Sequence, residues 1–159
     1  MNTLSFATAT EYQAAFDRLI AAAHRRIRIH DRNLADGGFN TAARHDSLRA
    51  FCVAGGGRRI EILLDETDTV QHHCPRLMQL LRDFGHVIEI RQTEPGSERP
   101  EHGFALADRH AVLRRHNKDD LRGSLDLDNT HDAVLLHDLF DSLWERAPVV
   151  VPATTLGLG

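Results

Sequence analysis

The segment "RRIEILLDE", residues 58–66, places a run of branched apolar side chains between two arginines and an acidic end. This composition is typical of a β-strand, and it is the clearest strand signal in the chain. Two further strands are predicted on either side of it, from the alternation in "RIRIHDRN" (residues 26–33) and from "HVIEIRQ" (residues 86–92). The sequence thus predicts three strands separated by segments long enough for helices.

Helix signals occupy the segments between and around these strands. A capping box at Thr8 and Glu11 precedes an apolar stripe, and Asn40 is placed to cap a second helix. A third helix is expected to begin near Pro75, because proline is favoured in a first helical turn. A fourth helix is predicted over residues 130–146, where large apolar side chains recur on one face.

The last third of the chain predicts a hairpin. In "GFALADRHAVLRR" (residues 103–115), two short strands are expected around a turn at Asp108 and Arg109. Strands that alternate with helices favour a parallel sheet, and a hairpin adds antiparallel strands to it. We therefore predict a single α/β domain at residues 1–147, with a mixed, mostly parallel sheet and helices on both faces. An apolar C-terminal tail is predicted at residues 148–159.

The composition limits the expected partners. The 159 residues carry a net charge of −4, whereas nucleic-acid-binding domains usually have a basic excess, so nucleic acid is not favoured as a partner. No apolar window approaches the length of about 18 residues that a membrane helix needs. The two cysteines make no disulfide framework, and the N-terminus lacks a signal-peptide layout. We expect a cytoplasmic protein without a cofactor. Its partner is expected to be an unknown protein or a second copy of the chain, so a homodimer is possible.

The order of these parts resembles the phospholipase D-like fold over residues 10–146. The similarity lies in the helix, glycine and strand of "CPRLMQLLRDFGHVIEI" (74–90), in the hairpin at 103–115, and in the closing helix "HDAVLLHDLFDSLWERA" (131–147) with its Phe and Trp. The resemblance implies that active relatives use a histidine nucleophile, a lysine that stabilises phosphate charge and an aspartate that orients a histidine. Two such H-x-K-x4-D motifs must meet, so a chain of this length would need a homodimer for catalysis.

The hairpin carries this motif only in a damaged form. If Asp108 takes the place of the family's aspartate, Glu101 stands where histidine is needed and Gly103 where lysine is needed. His102 is one step off, and one step along a strand turns a side chain to the opposite face. Even with His102 in place, Phe104 would fill the lysine position and leave no cation to hold a phosphate.

A literal H-x-K occurs further on, at His116 and Lys118. In this register Gly123 stands where the family's aspartate belongs, and the Gly123–Ser124 pair follows too closely for the family's second element. The segment also lacks the alternation of a strand, so no rigid element is predicted to present the pair.

We therefore expect a non-catalytic phospholipase D-like domain that acts as a binding or regulatory module. Two alternatives stay open. The first is a homodimeric phosphodiesterase that uses His102 or His116 as the nucleophile, with Lys118 and Asp108. The second is a module that binds a metal or an anion through the loops at the strand ends.

Polar residues do follow two of the predicted strands. Asp31 and Arg32 end the first strand and Asp65 ends the second, at the edge where α/β sheets commonly bind ligands. These three are the candidate ligand-binding residues, and Arg32 is suited to clamp an anion with two hydrogen bonds. Carboxylates and imidazoles also follow the second strand, and together they suit zinc or manganese, although their spacing matches no standard site. The alternative metal ligands are Asp65, Asp68, His72 and His73.

Overall fold

Eight strands form one sheet in the computed structural model, which describes residues 3–152. The strands are β1 (Thr3–Phe6), β2 (Arg26–Asp31), β3 (Arg59–Leu64), β4 (Ile88–Gln92), β5 (Phe104–Ala107), β6 (Ala111–Arg115), β7 (Gly123–Asp126) and β8 (Val149–Val150). The helices are α1 (Ala9–Ala22), α2 (Ala42–Val53), α3 (Asp68–His73), α4 (Pro75–Asp83) and α5 (Thr130–Glu145). The chain thus has the α/β architecture that the sequence predicts.

The sheet is mixed but mostly antiparallel, so the prediction of a mostly parallel sheet is wrong. The strand order is β1-β7-β6-β5-β2-β3-β4-β8, and only β2, β3 and β4 pair in parallel. The chain makes β5, β6 and β7 in succession without an intervening helix, and short connections of this kind join antiparallel neighbours. The edge strand β1, which the sequence did not predict, adds another antiparallel pair with β7.

Helices cover both faces of the sheet. On β2, Ile27 and Ile29 point into the larger core, which contains side chains of α1, α2 and α4. The alternate positions, Arg28 and His30, point to the other face, where the cross-strand neighbours of β5 pack with α5. Because side chains alternate along a strand, Arg28 and His30 of β2 lie under α5 and away from the larger core.

Asp108 fixes the hairpin of β5 and β6 to the start of β2. Its backbone has a φ of 54°, the left-handed conformation that aspartate tolerates better than most residues. Its carboxylate accepts backbone N–H bonds from His24 (2.9 Å), Arg25 (2.8 Å) and Arg26 (3.0 Å). Partial burial alone would raise the pKa of Asp108, but these hydrogen bonds hold the pKa below its usual value. The residue is therefore a structural clasp between two distant segments.

Part of the predicted C-terminal tail continues the sheet. Val149–Val150 form β8 beside β4, and the backbone N–H of Val151 donates to the carbonyl of Ile90 at 2.8 Å. The rest of the predicted tail, residues 153–159, lies outside the described residues.

Candidate functional site

The carboxyl ends of β2 and β3 open into a small cleft, which we call the strand-end cleft. Its volume is about 210 Å³, and its walls come from these strand ends, from the loop before β5 and from the loop after β6. The residues that line it are Arg32, Asp65, Arg99, Pro100, Glu101, Asn117, Lys118 and Asp119. Two of the three predicted ligand-binding residues, Arg32 and Asp65, are therefore brought together, and Lys118 of the literal H-x-K joins them.

Lys118 is committed to an ion pair inside this cleft. Its side chain is 4% exposed, and its Nζ donates to Oδ2 of Asp65 at 2.6 Å. The other oxygen of Asp65, Oδ1, accepts the hydroxyl of Thr93 at 3.2 Å and lies 3.9 Å from Nε of Arg99. A bound phosphate would have to replace a short, nearly buried ion pair in order to use this lysine.

The charges that line the strand-end cleft balance. Arg32 contacts Asp119 at 3.0 Å and Glu66 at 4.0 Å. The walls carry three cations and three carboxylates. The cations are Arg32, Arg99 and Lys118, and the carboxylates are Asp65, Glu101 and Asp119. The cleft therefore offers an incoming anion no excess of positive charge.

Arg115 organises the loop that carries Lys118. Its guanidinium donates to the carbonyls of Lys118 (2.7 Å) and Asp120 (2.9 Å) and lies 3.4 Å from Oδ1 of Asp31. It also lies over the ring of Tyr12, 5.0 Å from the centroid. Burial raises the pKa of Asp31, and the charge of Arg115 opposes that rise. Asp31, predicted to bind a ligand, thus anchors the fold on the face opposite to His30.

Two histidines flank Phe104, the first residue of β5. The rings of His30 and His102 lie 5.5 Å and 5.6 Å from the Phe104 ring, centroid to centroid. Nδ1 of His30 lies 3.0 Å from the carbonyl oxygen of Leu63, and because a carbonyl only accepts, Nδ1 carries the proton. Within the described residues Nε2 of His30 has no hydrogen-bond partner.

Burial favours the neutral form of both imidazoles. Burial, followed by the charge of Lys118, lowers the pKa of His30 to about 4. Burial also lowers the pKa of His102, with the charges of Arg114 and Lys118 acting in the same direction. His30 is fully buried, so its free Nε2 is closed to a substrate, whereas His102 is only half-buried.

The motif positions before β5 hold no cation. Gly103 packs so closely on β2 that a Cβ there would lie 3.0 Å from Oδ1 of Asp31 and 3.4 Å from the carbonyl oxygen of His30. A lysine at this position would therefore crowd the neighbouring strand. Phe104 is buried in the core beneath α5, and the side chain of Glu101 is exposed.

The remaining sequence-predicted residues lie apart. His116 is exposed, whereas Lys118 is buried against Asp65, so the literal H-x-K does not present two side chains together. The clasp residue Asp108 lies at the opposite end of β5 from His102. Asp68, His72 and His73 are exposed on α3, and Asp65 is bonded to Lys118. Within residues 3–152 no three His, Cys, Asp or Glu side chains gather in a way that could hold a metal ion.

Sequence reasoning gave no role of their own to His30 and Arg115. The alternation of "RIRIH" places His30 on the face opposite Ile27 and Ile29, and that signal is present in the sequence. Nothing local marks Arg115, because its partners come from α1, from the end of β2 and from the loop that follows it.

A family model described as a domain of unknown function (DUF7931) matches residues 8–152. No curated protein sequence matches the chain.

Solved structures share the fold. The archaeal chromatin protein TrmBL2 is 13% identical, with a TM-score of 0.67 over 92% of this chain and 52% of the TrmBL2 chain. This chain therefore spans about half the length of TrmBL2. Nuc from Salmonella typhimurium, a phospholipase D family member, is 14% identical, with a TM-score of 0.66 over 92% and 95% of the two chains. NucT from Helicobacter pylori is 16% identical, with a TM-score of 0.57 over 92% and 97%. The phospholipase D-like fold expected from the sequence is confirmed, and at these identities the likeness concerns the fold alone.

The expectation that nucleic acid is not favoured as a partner is wrong. It rested on the net charge of −4, yet TrmBL2, which shares the fold, is described as showing a novel mode of DNA binding. A net charge describes the whole surface and says little about one patch of it. Within residues 3–152 no helix has the length and apolar character needed to cross a membrane.

Proposed function

This chain belongs to the family of that model, the domain of unknown function DUF7931, and on this premise we propose that it is a non-catalytic phospholipase D-like domain that acts as a binding or regulatory module. The observation that carries the proposal is the start of β5, where the motif positions hold Gly103 and Phe104 and supply no cation. Transfer of a phosphoryl group needs charge stabilisation around the phosphate, so a site without a free cation is poorly equipped for it.

His30 and Lys118 support the same conclusion. Phosphodiester cleavage through a histidine needs an accessible nucleophile and a second group that protonates the leaving oxygen. His30 is fully buried, and its pKa of about 4 keeps it from carrying a proton near neutral pH. Lys118 is occupied by Asp65 at 2.6 Å.

One observation favours a second candidate function, a phosphodiesterase that uses His102. Burial, then the charges of Arg114 and Lys118, lower the pKa of the half-buried His102, and His102 directly follows Glu101, which lines the strand-end cleft with Lys118. A substrate phosphate that displaced Asp65 from Lys118 would bring a cation beside this histidine. The two candidate functions therefore differ in whether the Lys118–Asp65 pair opens.

Hydrolysis of bis(p-nitrophenyl) phosphate by the purified chain separates the two candidates. We expect no release of p-nitrophenol above the buffer blank, in the wild type or in Asp65→Asn, which frees Lys118 from its ion pair. His102→Ala and the exposed His116→Ala serve as the matched pair of variants. Turnover by the wild type that disappears in His102→Ala and persists in His116→Ala would refute the non-catalytic proposal and identify the nucleophile.

A further inference from the structure

The opposite edge of the sheet carries three arginines in a row, Arg25, Arg58 and Arg109, which we call the basal row. Arg25 directly precedes β2, Arg58 directly precedes β3, and Arg109 lies in the turn between β5 and β6. In the part of the chain that the structure describes, none of the three has a carboxylate oxygen within 4.0 Å, unlike Arg32 and Lys118 at the other edge.

The backbone sets the spacing of the basal row. Strand β2 lies between β5 and β3, and the N–H of Arg59 donates to the carbonyl of Arg25 at 3.0 Å. On the other side, the N–H of Asp108 donates to the carbonyl of Arg26 at 2.8 Å. Neighbouring strands lie about 4.8 Å apart, so the backbone positions of the row extend over roughly 10 Å.

A cleft of about 450 Å³ lies beside this row, between the start of β2 and helix α5. Its wall on the sheet side includes Arg25, Arg26 and Arg109. Nε of Arg26 donates to Oε1 of Glu61 at 3.1 Å. Within the described residues, the Arg26 side chain makes no other hydrogen bond or ion pair. The cleft is therefore lined on one side by guanidinium groups that still have N–H donors to offer.

Most carboxylates of this cleft are already bonded. Asp108 accepts three backbone N–H groups, and Asp141 pairs with the buried Arg28 at 2.7 Å. His137 is neutral in this setting, because its Nε2 faces the carbonyl of Asp108 at 2.7 Å while its Nδ1 faces Arg28 at 3.2 Å. Asp138 is the lining carboxylate that is exposed and, among the described residues, has no cation partner.

We propose that the basal row binds the phosphate backbone of nucleic acid, without reading its sequence. A guanidinium presents a planar fork of donors that matches phosphate oxygens, and several such groups in a row suit a polyanion. The guanidinium of Arg58 stacks on the ring of Phe51, with its central carbon 4.9 Å from the ring centroid, and this contact holds Arg58 in place. The inference rests on the proposed binding function and gives it a ligand class and a surface, at the edge of the sheet opposite to the strand-end cleft.

Fluorescence anisotropy of a labelled DNA duplex of about 20 base pairs, with the full chain, tests the inference. Three phosphate contacts predict a slope of log K against log salt of about −3, from roughly 0.9 per contact. Arg25→Gln with Arg109→Gln should raise Kd roughly tenfold and reduce the slope to about −1. Asp138→Asn should tighten binding, because it removes a negative charge from the same cleft.

The matched control is Arg76→Gln with Arg122→Gln, two exposed arginines that line neither cleft, which removes the same charge elsewhere and should leave Kd unchanged. Arg25→Lys with Arg109→Lys keeps the charge and should keep most of the slope, which guards against loss of binding through misfolding. Absence of binding at low salt, equal losses in the two Gln pairs, or equally strong competition by polyglutamate would overturn the inference.

The same samples, resolved on a denaturing gel, distinguish this inference from the proposed function. Cleaved DNA would refute the non-catalytic proposal. Intact DNA that the chain fails to bind would overturn only the role of the basal row.

Discussion

Acid should destabilise this domain through His30, whose imidazole is fully buried between Leu63 and Phe104. Burial, followed by the charge of Lys118, lowers its pKa to about 4. The native state then binds the His30 proton more weakly than the unfolded chain does, whose histidine pKa is about 6.5. The stabilisation is therefore fully present above about pH 6.5 and is lost as the pH falls towards 4.

Proton linkage gives the size of this loss. With a pKa of about 4 in the native state and about 6.5 in the unfolded state, the His30 contribution to the unfolding free energy falls by about 2 kcal/mol between pH 7.5 and pH 5. By pH 4 the loss reaches about 3 kcal/mol. The side chain is 0% exposed, so solvent screening does not reduce this figure.

Urea unfolding of the wild type, His30→Asn and His116→Asn at pH 7.5 and pH 5 measures the effect. Asparagine keeps an N–H donor for the carbonyl of Leu63 but cannot take up a proton, so His30→Asn should lose about 2 kcal/mol less than the wild type over this interval. The exposed His116→Asn should follow the wild type. Each comparison is made within one variant, so the packing cost of the substitution cancels. Equal pH dependence in wild type and His30→Asn would refute the reasoning.

Three further predictions concern the clasp, the buried loop anchor and the cleft lysine. Asp108→Ala should lower the unfolding free energy by about 3 kcal/mol in urea titrations, because three backbone N–H groups lose a charged acceptor. Asp108→Asn should lower it by only about 1 kcal/mol, because asparagine keeps one oxygen and tolerates a φ of 54°. Arg115→Met should cost about 3–5 kcal/mol by thermal or chemical unfolding, because it leaves Asp31 buried without its cation, and adding Asp31→Asn should recover part of that loss. Lys118→Met should raise the pKa of His102, seen as a higher midpoint in its NMR titration; an unchanged midpoint would contradict the role given to the lysine charge.

The elements that could be predicted from the sequence are those whose signals are local. The side chain of Thr8 accepts from the N–H of Glu11 at 3.2 Å and caps α1, and Asn129, which directly precedes the predicted helix at 130–146, caps α5. The second helix begins one residue later than expected, because Thr41 is its cap while the side chain of Asn40 accepts from the N–H of Arg76. Strands β2, β3 and β4 occur where apolar residues cluster, since burial in a sheet selects such residues.

Strand direction and the cleft could not be predicted in the same way. Strand composition does not reveal which neighbour a strand pairs with, and β5 pairs with β2 rather than continuing the parallel series. Lys118 and Asp65 are 53 positions apart, so their ion pair forms only once the sheet is assembled, and no local sequence pattern predicts it. The sequence marked these two residues for different sites, and only the fold brings them into one.

The clasp at Asp108 also bears on how the chain is made. Strand β2 pairs with β5 across about 80 residues, as the pairing of Ile27 with Ala107 indicates. At a synthesis rate of about 5–20 residues per second, one side of β2 stays without its partner for roughly 4–16 s. An open strand edge of this kind invites association with other chains. Truncations that end between β4 and β5 are therefore expected to aggregate. Synthesis of the β5–β6 hairpin covers the open edge of β2 and so protects the nascent domain from association with other chains.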